Sequence, residues 1–510
     1  MKGKRIAIFG RGRSGLAIAK ACLKLGAFPV VYDQKQLDDL PKRDAYDDAI
    51  ASGATVILGW DGMFDPKEVD LVVSNPAVSR RHPALLDAVG NGLEVISEVE
   101  FAFRISKAPI VAITGTNGKS TTTVMTYLCL EACGEKPVLC GNIFGSGYPE
   151  VPLTEAALNA SPDQTLVAEI SSFQLEWVSK FKPVSAGITN IWPDHLDRYT
   201  GFDEYAATKQ RLFAQMDDED TAVVKANDPV VIPPGGKGLA YRPRRTRTSA
   251  AAGQGKTFPL VLTFGATGEH SRVEEMEMSI LNQRVKLRDL PFDEPHNYLN
   301  ASMAALLTFG LLRWRAAHDR ASSAAILMHD ATDAELARLK FGRTVYDAKI
   351  PDGTPLALPR AVVDGLLRFG GLAHRMERLG EKDGVRVINN SMCTNPDAVI
   401  KSAQSVRDPV HLLIGGVNKG LDFGPLRHYL ANHRHCAYLF GSNAAELNEM
   451  LGGGWQIFVT MQEAFEAATL AAKSGEVIML APGCASTDQF RDFRDRGNVF
   501  KAMAKEWLNL

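Results

Sequence analysis

The segment that most constrains this chain is Ile110–Ser120. An apolar run, Ile110-Val-Ala-Ile-Thr114, passes through Gly115-Thr116-Asn117-Gly118 into Lys119-Ser120, where a helical pattern begins that continues to about Ala132. A strand that turns on glycines directly into a helix presents unpaired backbone N–H groups at the helix start. The same strand-then-helix rhythm fills the first hundred residues. Strands are expected at Arg5–Phe9, Val30–Tyr32 and Val69–Ser74, with a helix over Gly15–Leu25 ended by Gly26. It returns after about Leu372, with strands expected at Val385–Asn389, His411–Gly415, Ala437–Gly441 and Val477–Ala481. Alternation of this kind asks for parallel sheets covered by helices. Further strands are expected at Leu166–Ile170 and Ser185–Asn190.

At roughly 150 residues per domain, 510 residues predict about three domains. The expected division is an N-terminal Rossmann-like domain over 1–107, a central phosphate-loop domain with a mainly parallel sheet over 108–370, and a C-terminal Rossmann-like domain over 371–510. Two stretches interrupt the rhythm. Pro233–Lys256 is rich in Gly, Pro, Ser and Arg and reads as a solvated connection, and His318–Pro359 holds one helical candidate, Asp333–Leu339. Lys+Arg 57 against Asp+Glu 59 gives a net charge of −2, which argues against a nucleic-acid backbone as partner. No apolar run reaches ~18 residues, so no membrane span is expected. The N-terminal strand is too short for a signal-peptide core. Seven cysteines without regular spacing suit free thiols in a reducing, cytoplasmic setting.

Two glycine loops carry chemistry. Gly10-Arg11-Gly12-Arg13-Ser14-Gly15 follows a strand and opens a helix, and Asp33 ends the next strand. That is the fingerprint of a diphosphate at a helix N-terminus, with an acid on a ribose; NAD and a UDP-sugar both satisfy it. The second loop, Gly115 to Lys119-Ser120, suits a triphosphate: amides cradle the phosphates, Lys119 reaches the terminal oxygens and Ser120 meets Mg²⁺. Ile113 stands where the general pattern has its first glycine. Glu169 ends an apolar run, where a carboxylate is costly unless it has a task, and a metal beside a phosphate is such a task. His195 follows another strand of the same unit and by itself reads more readily as structural than as a ligand.

Taken together, Ile113-Thr-Gly-Thr-Asn-Gly-Lys-Ser-Thr121, Glu169-Ile-Ser-Ser-Phe-Gln-Leu-Glu176 and Asn190-Ile-Trp-Pro-Asp-His195-Leu-Asp-Arg-Tyr199 resemble the Mur ligases, the ATP-dependent amino-acid ligases of peptidoglycan precursor synthesis. The resemblance continues through Glu294-Pro-His296-Asn297-Tyr-Leu-Asn300, Ala373-His374-Arg375-Met-Glu377, Gly415-Gly-Val-Asn-Lys419-Gly420 and Pro482-Gly-Cys484-Ala-Ser486-Thr487-Asp488-Gln-Phe490, and is strongest toward the D-glutamate-adding branch. It implies that ATP phosphorylates the carboxylate of UDP-N-acetylmuramoyl-L-alanine and that the amine of glutamate attacks the acyl phosphate. By resemblance, Gly115, Thr116, Asn117, Gly118, Lys119, Ser120, Thr121, Asn297, Asn300, Arg375 and Asn390 serve ATP. Ser120, Glu169, His195 and Lys209 serve two Mg²⁺ ions, Lys209 as the carbamylated lysine of the family; Lys119, Glu169, His195 and Lys209 are the catalytic set. Without the family, Lys209 reads as a solvated helix lysine. The same resemblance implies that Arg13, Ser14, Asp33, Asn142 and His195 face the UDP-sugar, which turns the front fingerprint against NAD, and that Thr394, Lys419, Ser486, Thr487 and Phe493 line the glutamate pocket. A cytoplasmic, bacterial, monomeric enzyme is expected.

The chain departs from the family at Asn389-Asn390-Ser391-Met392-Cys393-Thr394-Asn395, where the D-glutamate-adding branch usually reads Asn-Asp-Ser-Lys-Ala-Thr-Asn. Asn390 replaces an acid and Met392 a lysine, and Met392 cannot donate a hydrogen bond to a carboxylate. Ser74-Asn75-Pro76-Ala77 stands where a Ser-Pro-Gly turn is usual. An L-glutamate-adding variant and a non-catalytic UDP-sugar-binding paralogue are therefore alternatives. Cys129, Cys133 and Cys140 read as structural, while Cys393 and Cys484 lie beside the expected pocket, where oxidation is conceivable if they are exposed.

Overall fold

The computed structural model describes the chain except residues 37–49, 52, 196–197, 229, 232–258, 269, 293, 319–356 and 419. Pro233–Lys256, nearly all of His318–Pro359 with its helix candidate, and Lys419 lie outside the described residues. The chain divides into two units, Met1–Phe144 with Tyr148–Gly370, and Gly145–Gly147 with Gly371–Leu510.

The first unit holds two sheets. β1 (Arg5–Phe9), β2 (Phe28–Tyr32), β3 (Thr55–Ile57), β4 (Leu71–Ser74) and β5 (Val95–Ser97) form an all-parallel sheet in the order β3-β2-β1-β4-β5. Helix α1 (Arg13–Lys24) lies against it through Gly15, Ala17, Ile18, Ala19, Ala21 and Cys22, small residues that allow a close helix-to-sheet approach. Helix α2 (Glu98–Ile105) leads out of β5 under a Ser97 cap.

The second sheet is built from β6 (Ile110–Thr114), β7 (Lys136–Gly141), β8 (Gln164–Glu169), β9 (Ser185–Ile188), β10 (Thr221–Lys225), β11 (Leu260–Phe264), β12 (Ser271–Val273), β13 (Glu277–Ile280) and β14 (Gln283–Lys286). Its order is β14-β13-β12-β11-β10-β9-β6-β8-β7, parallel from β7 to β12 and antiparallel beyond. β6 is buried throughout and sits between β8 and β9, so three consecutive strand ends meet at one edge. Helices α3 (Lys119–Ala132), α4 (Phe202–Gln210) and the 24-residue α5 (Pro295–His318) complete the layer.

The second unit has one six-stranded sheet, β15 (Glu377–Lys382), β16 (Val385–Asn389), β17 (Val410–Gly415), β18 (Cys436–Phe440), β19 (Gln456–Phe458) and β20 (Val477–Gly483), in the order β15-β16-β20-β17-β18-β19. Only β15 runs antiparallel. Helix α6 (Phe493–Leu508) starts at an Asp492 cap that accepts two backbone N–H bonds. The α/β class with mainly parallel sheets is as the sequence predicts. No helix among the described residues is long and apolar enough to cross a membrane.

Candidate active site

The glycine loop leaves β6 and enters α3 in a conformation that only glycine holds easily. Gly115 has φ +145° and Gly118 φ +83°. A Cβ on Gly115 would lie 1.9 Å from Thr189 Oγ1, and one on Gly118 2.4 Å from Asn300 Oδ1. The loop is bonded from both sides. Thr116 N donates to Asn190 O at 2.9 Å, Asn117 N to Asn190 Oδ1 at 3.0 Å, and the Thr189 hydroxyl to Asn117 O at 2.6 Å. Lys119 Nζ donates to Thr116 O at 2.9 Å, which folds its ammonium back over the loop. Ser120 and Thr121 are buried at the first turn of α3. Asn300 accepts from the Thr122 hydroxyl at 3.3 Å and donates to Asn297 at 3.1 Å, so both α5 asparagines stand against the start of α3.

Glu169 ends β8 in register with Ile113 on one side and Gly141 on the other. It is 3% exposed. Asn142 Nδ2 donates to Oε1 at 2.9 Å, while Oε2 is buried and accepts no hydrogen bond. An acceptor left bare in that position calls for a cation, and it is the observation by which a divalent ion fits here. Among the described residues no cluster of three or more His, Cys, Asp or Glu side chains is arranged to hold a metal. A Mg²⁺ ion held by Glu169 would draw most of its ligands from phosphates and water, as Mg²⁺ commonly does.

Lys209 is not a solvated helix lysine. It is 2% exposed, its Nζ donates to Gly115 O at 2.9 Å, and it stands 4.7 Å from the centroid of the Tyr205 ring. Burial, reinforced by the facing Lys119, pulls its pKa from 10.5 down to about 7, against the opposing pull of Asp194 and Glu169. The same four side chains thus feel one another around the loop. His195 is exposed on a left-handed backbone (φ +53°), its ring 4.7 Å from that of Phe173 and its Nε2 3.6 Å from Asp194.

At the front loop, a Cβ on Gly15 would come 2.2 Å from Gly10 O, which accounts for the third glycine as a helix-to-strand contact. Asp33 is engaged by its own loop, accepting from Arg11 N at 2.9 Å and Lys35 N at 3.0 Å. Ser14 directs its hydroxyl inward to Glu98 at 3.0 Å, leaving its backbone at the helix start for a ligand. The Arg13 guanidinium lies 5.1 Å from the Phe144 ring centroid.

In the second unit, the loops after β16, β17 and β20 gather around one side chain that the sequence reading did not single out. Arg496 of α6 is fully buried; its Nε donates to Ser391 Oγ at 3.1 Å, and its terminal nitrogens donate to Ser391 O, Cys484 O and Gly415 O at 3.0 to 3.4 Å. Burial lowers its pKa to about 10, so it stays charged. The Ser391 hydroxyl in turn donates to Phe493 O at 2.7 Å, while Ser486, two residues beyond Cys484, is buried and Thr487 exposed. Asn390 accepts from Met376 N at 3.2 Å and donates to Ser402 at 2.7 Å. Arg375 Nη2 lies 3.2 Å from Met392 Sδ. Cys393 and Cys484 are buried, and burial pushes the Cys393 thiol up to about 12, so neither suits oxidation.

Several residues of the quoted motifs prove to be fasteners. Glu176 holds Arg198 through two 2.8 Å bonds, and Arg198 also donates to Val78 O at 2.8 Å, joining the central sheet to the first. Gln174 donates to Glu98 at 3.1 Å. Glu98 itself carried a readable signal, an acid among Val95, Ile96, Val99 and Phe101, the same kind of pattern that marks Glu169.

Residues 113–306 match the model of the Mur ligase middle domain, and 374–484 that of the Mur ligase glutamate ligase domain. The chain is 33% identical over 98% of its length to the UDP-N-acetylmuramoylalanine–D-glutamate ligase of Caldanaerobacter subterraneus subsp. tengcongensis, covering 98% of it. It is likewise 33% identical, over 98% of its length and 96% of the other, to the ligase of that name from Pelotomaculum thermopropionicum. Among solved structures it is similar in fold to the UDP-N-acetylmuramate-alanine ligase of Thermotoga maritima, with a TM-score of 0.51 at 16% identity, covering 98% of this chain and 100% of that one. With near-complete coverage at this identity, the chain belongs to the Mur ligase family.

Proposed function

We propose that this protein joins glutamate, with the D enantiomer favoured, to UDP-N-acetylmuramoyl-L-alanine at the expense of ATP, in peptidoglycan precursor synthesis. The observation that carries the reading is the grouping of Lys119, Lys209 and the bare Glu169 oxygen around the loop of β6, on a chain similar throughout to ligases named for that reaction. The substrate carboxylate attacks the γ-phosphorus of ATP, and ADP leaves. The glutamate amine then adds to the acyl carbon, and the tetrahedral intermediate expels phosphate and loses a proton. Lys119 and the loop amides hold the transferring phosphates and stabilise the charge that builds on them.

Glu169, Ser120 and His195 are the proposed Mg²⁺ ligands, with Asn142 orienting Glu169. Bound there, Mg²⁺ neutralises phosphate charge. An amine that is half neutral near pH 7 adds to CO₂, releasing a proton and forming a carbamate. Carbamylated Lys209 is the proposed ligand of a second Mg²⁺. Arg13, Ser14, Asp33 and Asn142 are assigned to the UDP-sugar. Asn297, Asn300, Arg375 and Asn390 go to the nucleotide, and Thr394, Lys419, Ser486, Thr487 and Phe493 to glutamate. The proposed domains are 1–107 for the sugar nucleotide, 108–370 for ATP and 371–510 for glutamate, in a cytoplasmic monomer.

The test is phosphate release with UDP-N-acetylmuramoyl-L-alanine, ATP and each glutamate enantiomer in turn. D-glutamate is expected to support turnover. Turnover with L-glutamate alone would favour the second reading, motivated by Met392 in place of a lysine, and turnover with neither would overturn the proposal.

A further inference from the structure

Glu98, the first residue of α2, has no part in the reaction as written, yet it is 1% exposed and has no cation within ion-pair distance among the described residues. Its carboxylate accepts four hydrogen bonds. Oε1 takes Thr154 N at 3.2 Å and the Thr154 hydroxyl at 3.3 Å; Oε2 takes the Ser14 hydroxyl at 3.0 Å and Gln174 Nε2 at 3.1 Å. Gln174 accepts in turn, through Oε1, from Ser171 N at 2.9 Å and the Ser171 hydroxyl at 3.0 Å. Ser171 stands two residues beyond Glu169. One anion therefore ties the start of α1, the start of the helix Leu153–Asn159 and the turn that follows the Glu169 strand.

Burying a carboxylate without a counter-charge is costly, and apolar packing would join these segments more cheaply. What no apolar or amide side chain can do is accept at both oxygens from partners that all present hydrogens. Ser14 lies in the first turn of α1, where the sugar-nucleotide diphosphate is proposed to bind, so Glu98 fixes the position of that turn through the Ser14 hydroxyl.

We propose that Glu98 is a positioning residue that links the nucleotide-sugar loop to the phosphate-transfer centre, holding Ser14 at one end and, through Gln174 and Ser171, the Glu169 strand end at the other. This rests on the function proposed above.

The test is a charge exchange. Glu98→Gln sets an amide N–H against the Gln174 N–H, and a buried mismatch of this kind is expected to raise KM for UDP-N-acetylmuramoyl-L-alanine roughly tenfold and to lower kcat by a similar factor. KM for ATP is expected to stay close to wild type. Combining Glu98→Gln with Gln174→Glu gives every group a partner again, because the carboxylate moved to 174 accepts from Ser171 and from the amide at 98, whose second N–H the Ser14 hydroxyl accepts. The pair is expected to recover most of both losses. A Glu98→Gln enzyme with wild-type kinetics would overturn the proposal. So would an exchange variant no better than the single one, or a loss in which KM for ATP rises in step. Absence of wild-type turnover would instead overturn the functional reading, and this proposal with it.

Discussion

At neutral pH the Lys209 amine is divided between its charged and neutral forms, because burial and Lys119 outweigh the attraction of Asp194 and Glu169. Only the neutral form captures CO₂, so turnover should fall as pH drops below about 7, and added bicarbonate should partly offset the loss; a rate flat from pH 6 to 8 at fixed substrate saturation would contradict this. The same shift bears on stability. Between about 7 and 10.5 the unfolded chain holds a proton on this lysine that the native state lacks, so stability rises with pH through that window, and below about 7 the penalty of burying the cation is fully present. In CO₂-free buffer, Lys209→Met should flatten that rise, read from urea midpoints between pH 6.5 and 9.5. Lys119→Ala should abolish ATP turnover while leaving UDP-sugar affinity within a few-fold, measured by calorimetric titration, because Lys119 and α1 belong to different sheets. Spacing along α4 shows Lys209 on a helix and no more; that it is buried against Gly115 follows from where β6 ends, which no local pattern encodes.

Among the elements, α2 shows how a short amphipathic helix becomes a joint. Glu100 is fully buried and accepts from Arg104 Nε at 2.9 Å, and its second oxygen takes the consecutive N–H groups of Ser179, Lys180 and Phe181 at 2.9 to 3.0 Å. Glu100→Ala leaves three main-chain donors, that of buried Phe181 among them, without an acceptor and should destabilise the fold by about 2 kcal/mol, checked by urea unfolding. Strands with a strong apolar run, such as β1, β6 and β20, were legible within a residue or two. β12 to β14 were not. Ser271–Val273 and Gln283–Lys286 are short and half polar, and they are strands because β11 offers an open edge for pairing. The glycine loops were legible because their conformations admit few other residues, as the 2.4 Å approach at Gly118 illustrates.

On the scale of the whole molecule, each unit closes around its own core, and Arg496 and Glu100 fasten different units. Heat should therefore unfold the protein in more than one step. By scanning calorimetry, Glu100→Ala should lower the transition of the 1–144 and 148–370 unit, and Arg496→Ala that of the other; a single transition moved equally by both would contradict the division. The amino-acid order by itself determined the α/β class, the two glycine turns and the candidate chemistry, since these rest on local rules: apolar periodicity, glycine at positive φ, a carboxylate out of place in an apolar run. Only the tertiary structure decided that Lys209 is buried and half neutral, that one Glu169 oxygen is bare, and that Glu98 and Arg496 sit at the hubs. Burial and hydrogen bonding are set by partners far away in the chain, as Ser14, Thr154 and Gln174 are from one another, and they exist only once the sheets have assembled.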